Sequence, residues 1–121
     1  MKALLLVFLG GGLGSACRFL VGKLIQSNYP ISTFLVNVLG SLLIGFVATY
    51  FYKNQTQHQN LVLFLATGFC GGFTTFSAFA LENFNLLKNE NYILFFGYTL
   101  GSVFLGILAV MLGIWLAKTL L

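Results

Sequence analysis

The chain has 121 residues, of which 59% are hydrophobic and only 7% charged, and its mean hydropathy is +0.97. A soluble domain this small cannot bury so much apolar surface, because small domains have the poorest ratio of interior to surface, so the composition predicts an integral membrane protein. The net charge of +4 comes from cations scattered singly along the chain, which excludes the basic face that nucleic-acid binding needs.

A span needs about 20 apolar residues, so the chain has room for four spans in one domain, residues 1–121, with short polar connections between them. The first span is predicted at Ala3–Ile25. Lys2 and the run to Gly14-Ser15-Ala16-Cys17 imitate a lipoprotein signal. Gly14, however, stands where such a signal has a large aliphatic residue, and Arg18-Phe19-Leu20-Val21 continues the membrane segment. The segment therefore reads as an uncleaved span. Gly11, Ser15, Arg18 and Gly22 form a small-polar stripe at helical spacing. An arginine this deep costs at least about 2.5–3.5 kcal/mol, so Arg18 needs a partner, a wet cavity or a snorkelling route to the nearer membrane face.

The connection Gln26–Ser32 holds the only proline, Pro30, and leads into a second span at Thr33–Tyr52. Its stripe is Thr33, Asn37, Gly40 with Ser41, and Gly45. Asn37 serves either an interhelical hydrogen bond, worth about 0.6–2 kcal/mol, or a polar site within the membrane. After the polar connection Lys53–Asn60, a third span is predicted at Leu61–Leu81.

The most informative segment, Gly68–Glu82, reads GFCGGFTTFSAFALE. Gly71 and Gly72, followed by Thr74 and Thr75, weaken a helix through backbone entropy and β-branching, so a break is predicted at mid-membrane. Unwound backbone is tolerated there only where protein buries it or a polar cavity runs beside it. Phe76 and Phe79 follow, three apart and hence on one helical face. A broken helix flanked by aromatics and hydroxyls is the architecture of an ion or substrate site; the alternative is a Gly/Thr patch for close packing. Glu82, at the end of this span, reads either as interfacial or as part of the same site.

The last connection, Leu86–Asn91, precedes a fourth span at Tyr92–Ala117 with the stripe Tyr98, Gly101 and Ser102, and Gly106. The pairs Gly10/Gly14, Gly68/Gly72 and Gly97/Gly101 are spaced for close helix approach. Tyr29, Tyr50, Tyr52, Tyr92 and Trp115 fall at span ends, as an aromatic belt in the lipid bilayer does. Cys17 and Cys70 lie in apolar segments and act as small hydrophobes. With no CxxC spacing and one histidine, His58, neither a disulfide nor a side-chain metal site is expected.

Four spans put both termini and the second connection on one side, with Lys2, Lys53 and Lys118; the other side has Lys23 and Lys88, with Arg18 nearby. Lys/Arg asymmetry sets orientation, and here it is nearly absent. Either one orientation is marginally chosen, or both are used and the two forms pair. Arg18, Asn37, Phe76, Phe79 and Glu82 all fall in one half of the bilayer, so an oppositely inserted copy would equip the other half.

These residues resemble the Fluc (CrcB) family of bacterial fluoride channels. The resemblance covers the whole chain and rests on GGGLGSACR in the first span, TFLVN in the second and GFCGGFTTFSAF in the third. It implies an all-α membrane protein of four transmembrane helices, the third broken, in an antiparallel dual-topology homodimer. It further implies two fluoride pores, a structural sodium ion at the dimer centre, and passive fluoride export across the inner membrane. By position, Phe76 and Phe79 resemble the pore phenylalanines, Asn37 the pore asparagine, and Tyr98 and Ser102 polar pore positions of the fourth span. Gly71 and Thr74 match the places whose carbonyls hold sodium, Thr75, Ser77 and Glu82 a polar track, and Arg18 the arginine of the first span. One departure stands out: the family motif FSTF is here Phe76-Ser77-Ala78-Phe79, which removes a hydroxyl at Ala78.

Elementary chemistry agrees with that expectation. Fluoride is small and strongly hydrated, so a pore must replace its water with donors. Asn37 offers two amide hydrogens and each serine, threonine or tyrosine one hydroxyl, while a phenylalanine edge is the positive part of its quadrupole. A small multidrug-exporter-like dimer is the alternative, but such exporters resemble one another in a membrane-embedded glutamate in the first span, where this chain has Arg18 and no acidic residue. A structural helper subunit would leave the break and Asn37 unexplained. With no nucleophile–base pair, an enzyme is not expected.

Overall fold

A computed structural model describes residues 1–52 and 56–121. Among the described residues the regular structure is entirely helical, and four helical stretches are long and apolar enough to cross a membrane. Helix α1 spans Lys2–Leu24, α2 Ile31–Tyr50 and α6 Tyr92–Leu120, close to the spans expected. Residues 53–55 of the second connection, with the Lys53 counted in the charge balance, lie outside the described residues.

The third crossing is composite. It begins as α3 (Gln59–Val62), widens into a π-helical segment (Leu63–Cys70) and tightens again as α4 (Gly71–Phe73). Thr74 and Thr75 are extended, with φ/ψ of −87°/158° and −150°/115°. The chain then resumes as α5 (Phe76–Lys88), which runs past the expected end at Leu81. Extended π-helix is rare and favours functional sites.

The break lies within the expected segment, at its threonines and not at its glycines. Gly72 stays helical because α1 passes directly against it: a Cβ there would run into the backbone of Gly11, and one at Gly14 into the backbones of Phe69 and Phe73. Gly10 and Gly68 meet in the same way. These glycines are packing residues, and the unwinding falls one turn later. There Thr74 closes α4 by bonding Cys70 O through both its N–H (3.0 Å) and its hydroxyl (2.7 Å). Thr75 opens α5 as its N-cap, its Oγ1 accepting from Ala78 N at 3.2 Å.

Two parallel helix pairs result. The first is α1 with the first half of the third crossing, where Gly10 lies by Gly68 and Gly11 by Gly72. The second is α2 with α6, where Gly45 abuts Val110 and Gly113 abuts Leu42. Parallel pairing of the first with the third crossing and of the second with the fourth is what alternating spans require. The turn from α5 to α6 is closed by Asn91 N to Leu86 O and Glu90 N to Leu87 O, with Glu90 left-handed at φ 57°. Both bonds and the conformation define a Schellman turn, built here without glycine. The interior is thin, with Val36, Val47, Phe73 and Ala117 at its centre, while Phe8, Ile93 and Trp115 face outward, as lipid-facing side chains do.

Candidate functional site at the helix break

Breaking a helix in mid-membrane exposes peptide groups that must find partners. Around Thr74–Thr75 most of those partners are side chains from neighbouring helices. Asn37 of α2 accepts from Thr75 N at 2.8 Å and donates to Thr75 O at 3.2 Å. Gly72 O receives Arg18 Nε at 3.1 Å and Ser15 Oγ at 3.4 Å, both from α1. Arg18 therefore has the partner that its depth demanded, and the snorkelling alternative does not describe it. The remaining carbonyls of interest, Gly71 O and Thr74 O, receive no hydrogen bond among the described residues.

Beside the break lies a cleft of about 570 Å³, lined by Asn37, Ser41, Cys70, Gly71, Thr74, Thr75, Phe76, Phe79 and Ser102 among others. The phenylalanine rings tilt against each other with centroids 5.9 Å apart, and Phe79 leans on Tyr98 at 5.1 Å. Phe76 is 79% exposed, an aromatic held open at the cleft edge. Ser102 is part of the cleft wall, and its Oγ is buried with no hydrogen-bond partner among the described residues.

Glu82 is not a loose interfacial carboxylate. Thr33 Oγ1 donates to its Oε2 at 3.0 Å and Tyr98 OH to its Oε1 at 3.2 Å, so helices α2, α5 and α6 meet on one carboxyl group. Thr75 Oγ1 and Ser77 Oγ lie 3.2 Å apart. A second cavity of about 320 Å³ on another side of the break is lined by Arg18, Lys23, Gln26, Thr33, Thr75 and Ala78. The missing hydroxyl at Ala78 thus falls on the wall of this cavity and not on the aromatic cleft.

The residues singled out from the sequence converge. Asn37, Thr75, Phe76, Phe79 and Ser102 share the cleft, Tyr98 and Glu82 adjoin it through Phe79, Ser77 adjoins through Thr75, and Arg18 supports it from behind. Two donor assignments change. Asn37 has one amide hydrogen left, since the other is spent on Thr75 O, and the Tyr98 hydroxyl is committed to Glu82. Asn83 and Thr99 were missed: Thr99 Oγ1 donates to Asn83 Oδ1 at 3.0 Å. The signal was available, because Glu82-Asn83 and Tyr98-Thr99 are polar doublets at the same separation in otherwise apolar spans.

For a cation, side chains offer little: no cluster of His, Cys, Asp or Glu suited to a metal occurs among the described residues. Backbone oxygen does better. Gly71 is exposed and a Cβ there would meet nothing within 4 Å, and with Thr74 it supplies neutral carbonyl oxygens of the kind hard cations prefer. The donor set fits a sodium ion.

A four-helix, multi-pass membrane protein whose broken third helix builds an aromatic and hydroxyl-lined cleft belongs to the class that handles an ion or small polar solute within the bilayer. Residues 5–114 match the family described as CrcB-like protein, Camphor Resistance (CrcB). A protein of Gloeothece citriformis named fluoride-specific ion channel FluC is 53% identical over 122 residues, 98% of this chain and 98% of its own. Relatives of the same name from Phocaeicola vulgatus (49% identical, 98% of this chain and 100% of its own) and Ignicoccus hospitalis (48%, 100% and 99%) match equally fully. The chain belongs to the CrcB family.

Proposed function

We propose that this protein is a fluoride-selective ion channel that lets fluoride leave the cell passively and so relieves its toxicity. The observation that carries the reading is the cleft at the break, lined by two phenylalanines, Asn37 with an amide hydrogen to spare, and Ser102, in a family whose named relatives are fluoride channels. These groups are donors or positive edges, suited to replacing the water of a small anion. The carboxyl group of Glu82 is held by two hydroxyls, which fixes its orientation. Arg18 stabilises the end of α4 and keeps a positive charge beside the second cavity. A proton-coupled multidrug exporter is not favoured, because the charge in the first span is Arg18 and the relatives are channels.

The working unit in this reading is an antiparallel homodimer of oppositely inserted chains. It is supported by the near-even lysine balance, by the exposure of Phe76 and by a cleft that one chain leaves open along one side. The carbonyls of Gly71 and Thr74 are the residues that would hold a structural sodium ion, which when bound supplies a fixed positive charge and satisfies oxygens left without donors.

The test is fluoride-electrode efflux from liposomes holding only the purified protein, with chloride as a parallel control. Rapid fluoride efflux without chloride efflux is expected; equal passage of both ions, or of neither, overturns the reading. Dialysis into sodium-free buffer is expected to weaken the dimer or stop efflux. Adding two lysines to the second connection is expected to force one orientation and lower activity.

A further inference from the structure

Helix α5 carries Phe76, Phe79 and Glu82, yet its only buried residue is polar: Asn83, 7% exposed. Leu81 and Phe84 beside it point outward at 61% exposed each. In lipid, apolar side chains gain nothing by choosing protein over acyl chains, so interhelical hydrogen bonds and close packing decide where such a helix sits. Asn83 makes one such interhelical bond and a second within its own helix. Its Oδ1 accepts from Thr99 Oγ1 of α6 at 3.0 Å, and its Nδ2 donates to Phe79 O, one turn back, at 3.1 Å. The side chain therefore spans from the peptide of a cleft phenylalanine to the neighbouring helix. One position earlier, Glu82 bonds Tyr98 at the same sequence separation, and the Phe79 ring rests on Tyr98.

We propose that Asn83, through Thr99, is a positioning residue that sets the rotation and depth of α5 on α6 and thereby aims the rings of Phe76 and Phe79 into the cleft. The bonds of Glu82 to Thr33 and Tyr98, with the Phe79 ring resting on Tyr98, hold α5 around one residue and leave a pivot about it. The Asn83–Thr99 bond, on the next residue and so about 100° further round the helix, removes that pivot. Neither residue lines the cleft, so both act on ion passage only through the placement of Phe79. The proposal rests on the fluoride-channel reading for its flux readout, but its structural half stands without it.

The test uses the full chain in liposomes and in detergent. Thr99→Val keeps the shape of the side chain and removes the hydroxyl, Thr99→Ser keeps the hydroxyl, and Asn83→Ala removes the bridge altogether. An interhelical hydrogen bond corresponds to roughly a three- to tenfold shift in an equilibrium. Thr99→Val and Asn83→Ala are each expected to lower fluoride flux by about that factor and to narrow the preference for fluoride over chloride, with Thr99→Ser close to the parent. The double variant is expected to be no worse than Asn83→Ala, because the two share one interaction. Amide hydrogen exchange across residues 76–88 is expected to rise in Thr99→Val and not in Thr99→Ser. Parent-like selectivity and flux in both single variants, or a double-variant loss equal to the product of the single losses, overturns the proposal. If the parent itself passes no fluoride, the channel reading fails, and the exchange result decides the proposal: unchanged exchange in Thr99→Val overturns it.

Discussion

The carboxamide of Asn37 holds the backbone of Thr75 at both its N–H and its carbonyl, at 2.8 and 3.2 Å. Asparagine does here what the next helical turn does elsewhere: it supplies one acceptor and one donor to a residue that has left the helix. The break and the polar residue of α2 are thus one feature. A second helix is recruited to make the unwinding tolerable, and one amide hydrogen remains for the cleft.

Asn37→Asp is accordingly expected to be severe. The aspartate still accepts from Thr75 N but turns a carboxylate oxygen toward Thr75 O, replacing a donor with an acceptor. Losing a partner at a buried polar group costs about 1–3 kcal/mol, and a negative charge is placed where an anion passes. Fluoride efflux is expected to fall at least about tenfold, with a lower melting temperature in detergent. Parent-like efflux would show that the clamp is dispensable.

The helix contacts make a contrast that thermal unfolding can read. Gly14→Ala and Gly72→Ala each push a Cβ into backbone of the facing helix, whereas Gly12→Ala meets nothing within 4 Å. Overpacking against backbone costs about 1–3 kcal/mol, and alanine gains up to about 1 kcal/mol over glycine by helix propensity. The first two variants are expected to melt below the parent and the third at or above it. The reverse order would remove the glycine contacts as the basis of the α1 pairing.

Glu90 offers a stabilising change. Its left-handed φ of 57° costs a residue with a Cβ roughly 1–2 kcal/mol, and the turn's two backbone bonds do not use its side chain. Glu90→Gly removes that strain and adds some unfolded-chain entropy, so a net gain of about 0.5–1 kcal/mol is expected, seen as a higher melting temperature with unchanged efflux.

Four spans, the broken third crossing and the convergence of Asn37, Phe76, Phe79 and Ser102 were legible because hydropathy sets spans and because glycines, threonines and paired aromatics rarely coincide in one. The break falls inside the expected segment, Gly71–Thr75, and a physical reason puts the unwinding at its threonine end. Gly71 and Gly72 have the weakest propensity, but the backbone of α1 against Gly72 holds that turn helical, and propensity yields to tertiary contact. The π-helical run Leu63–Cys70 has no sequence signature at all, since its residues are ordinary for a span. Asn83 was overlooked because a single asparagine near a span end looks interfacial; the matching Thr99 on α6 gives it a partner on another helix.

Phe76 gives the sharpest test of what the cleft does, because it contributes so little to the fold. The ring is 79% exposed, touches Phe79 at a tilt of 41°, and fills no core space in the single chain. Phe76→Ile keeps a bulky apolar side chain while removing the ring edge, the positive region that can face an anion. Within the single chain little loss of stability is expected, since exposed substitutions fall within about 0.5 kcal/mol; a larger drop in melting temperature would report a contact with the partner copy. Fluoride efflux, in contrast, is expected to drop by at least about tenfold, the effect of a loss of about 1.4 kcal/mol. Phe76→Trp retains a positive edge and is expected to lose less. Chloride efflux, measured in parallel, is expected to stay at background in all three proteins. A Phe76→Ile protein that is folded and conducts fluoride like the parent would show that the ring edges contribute nothing to the passage of the ion.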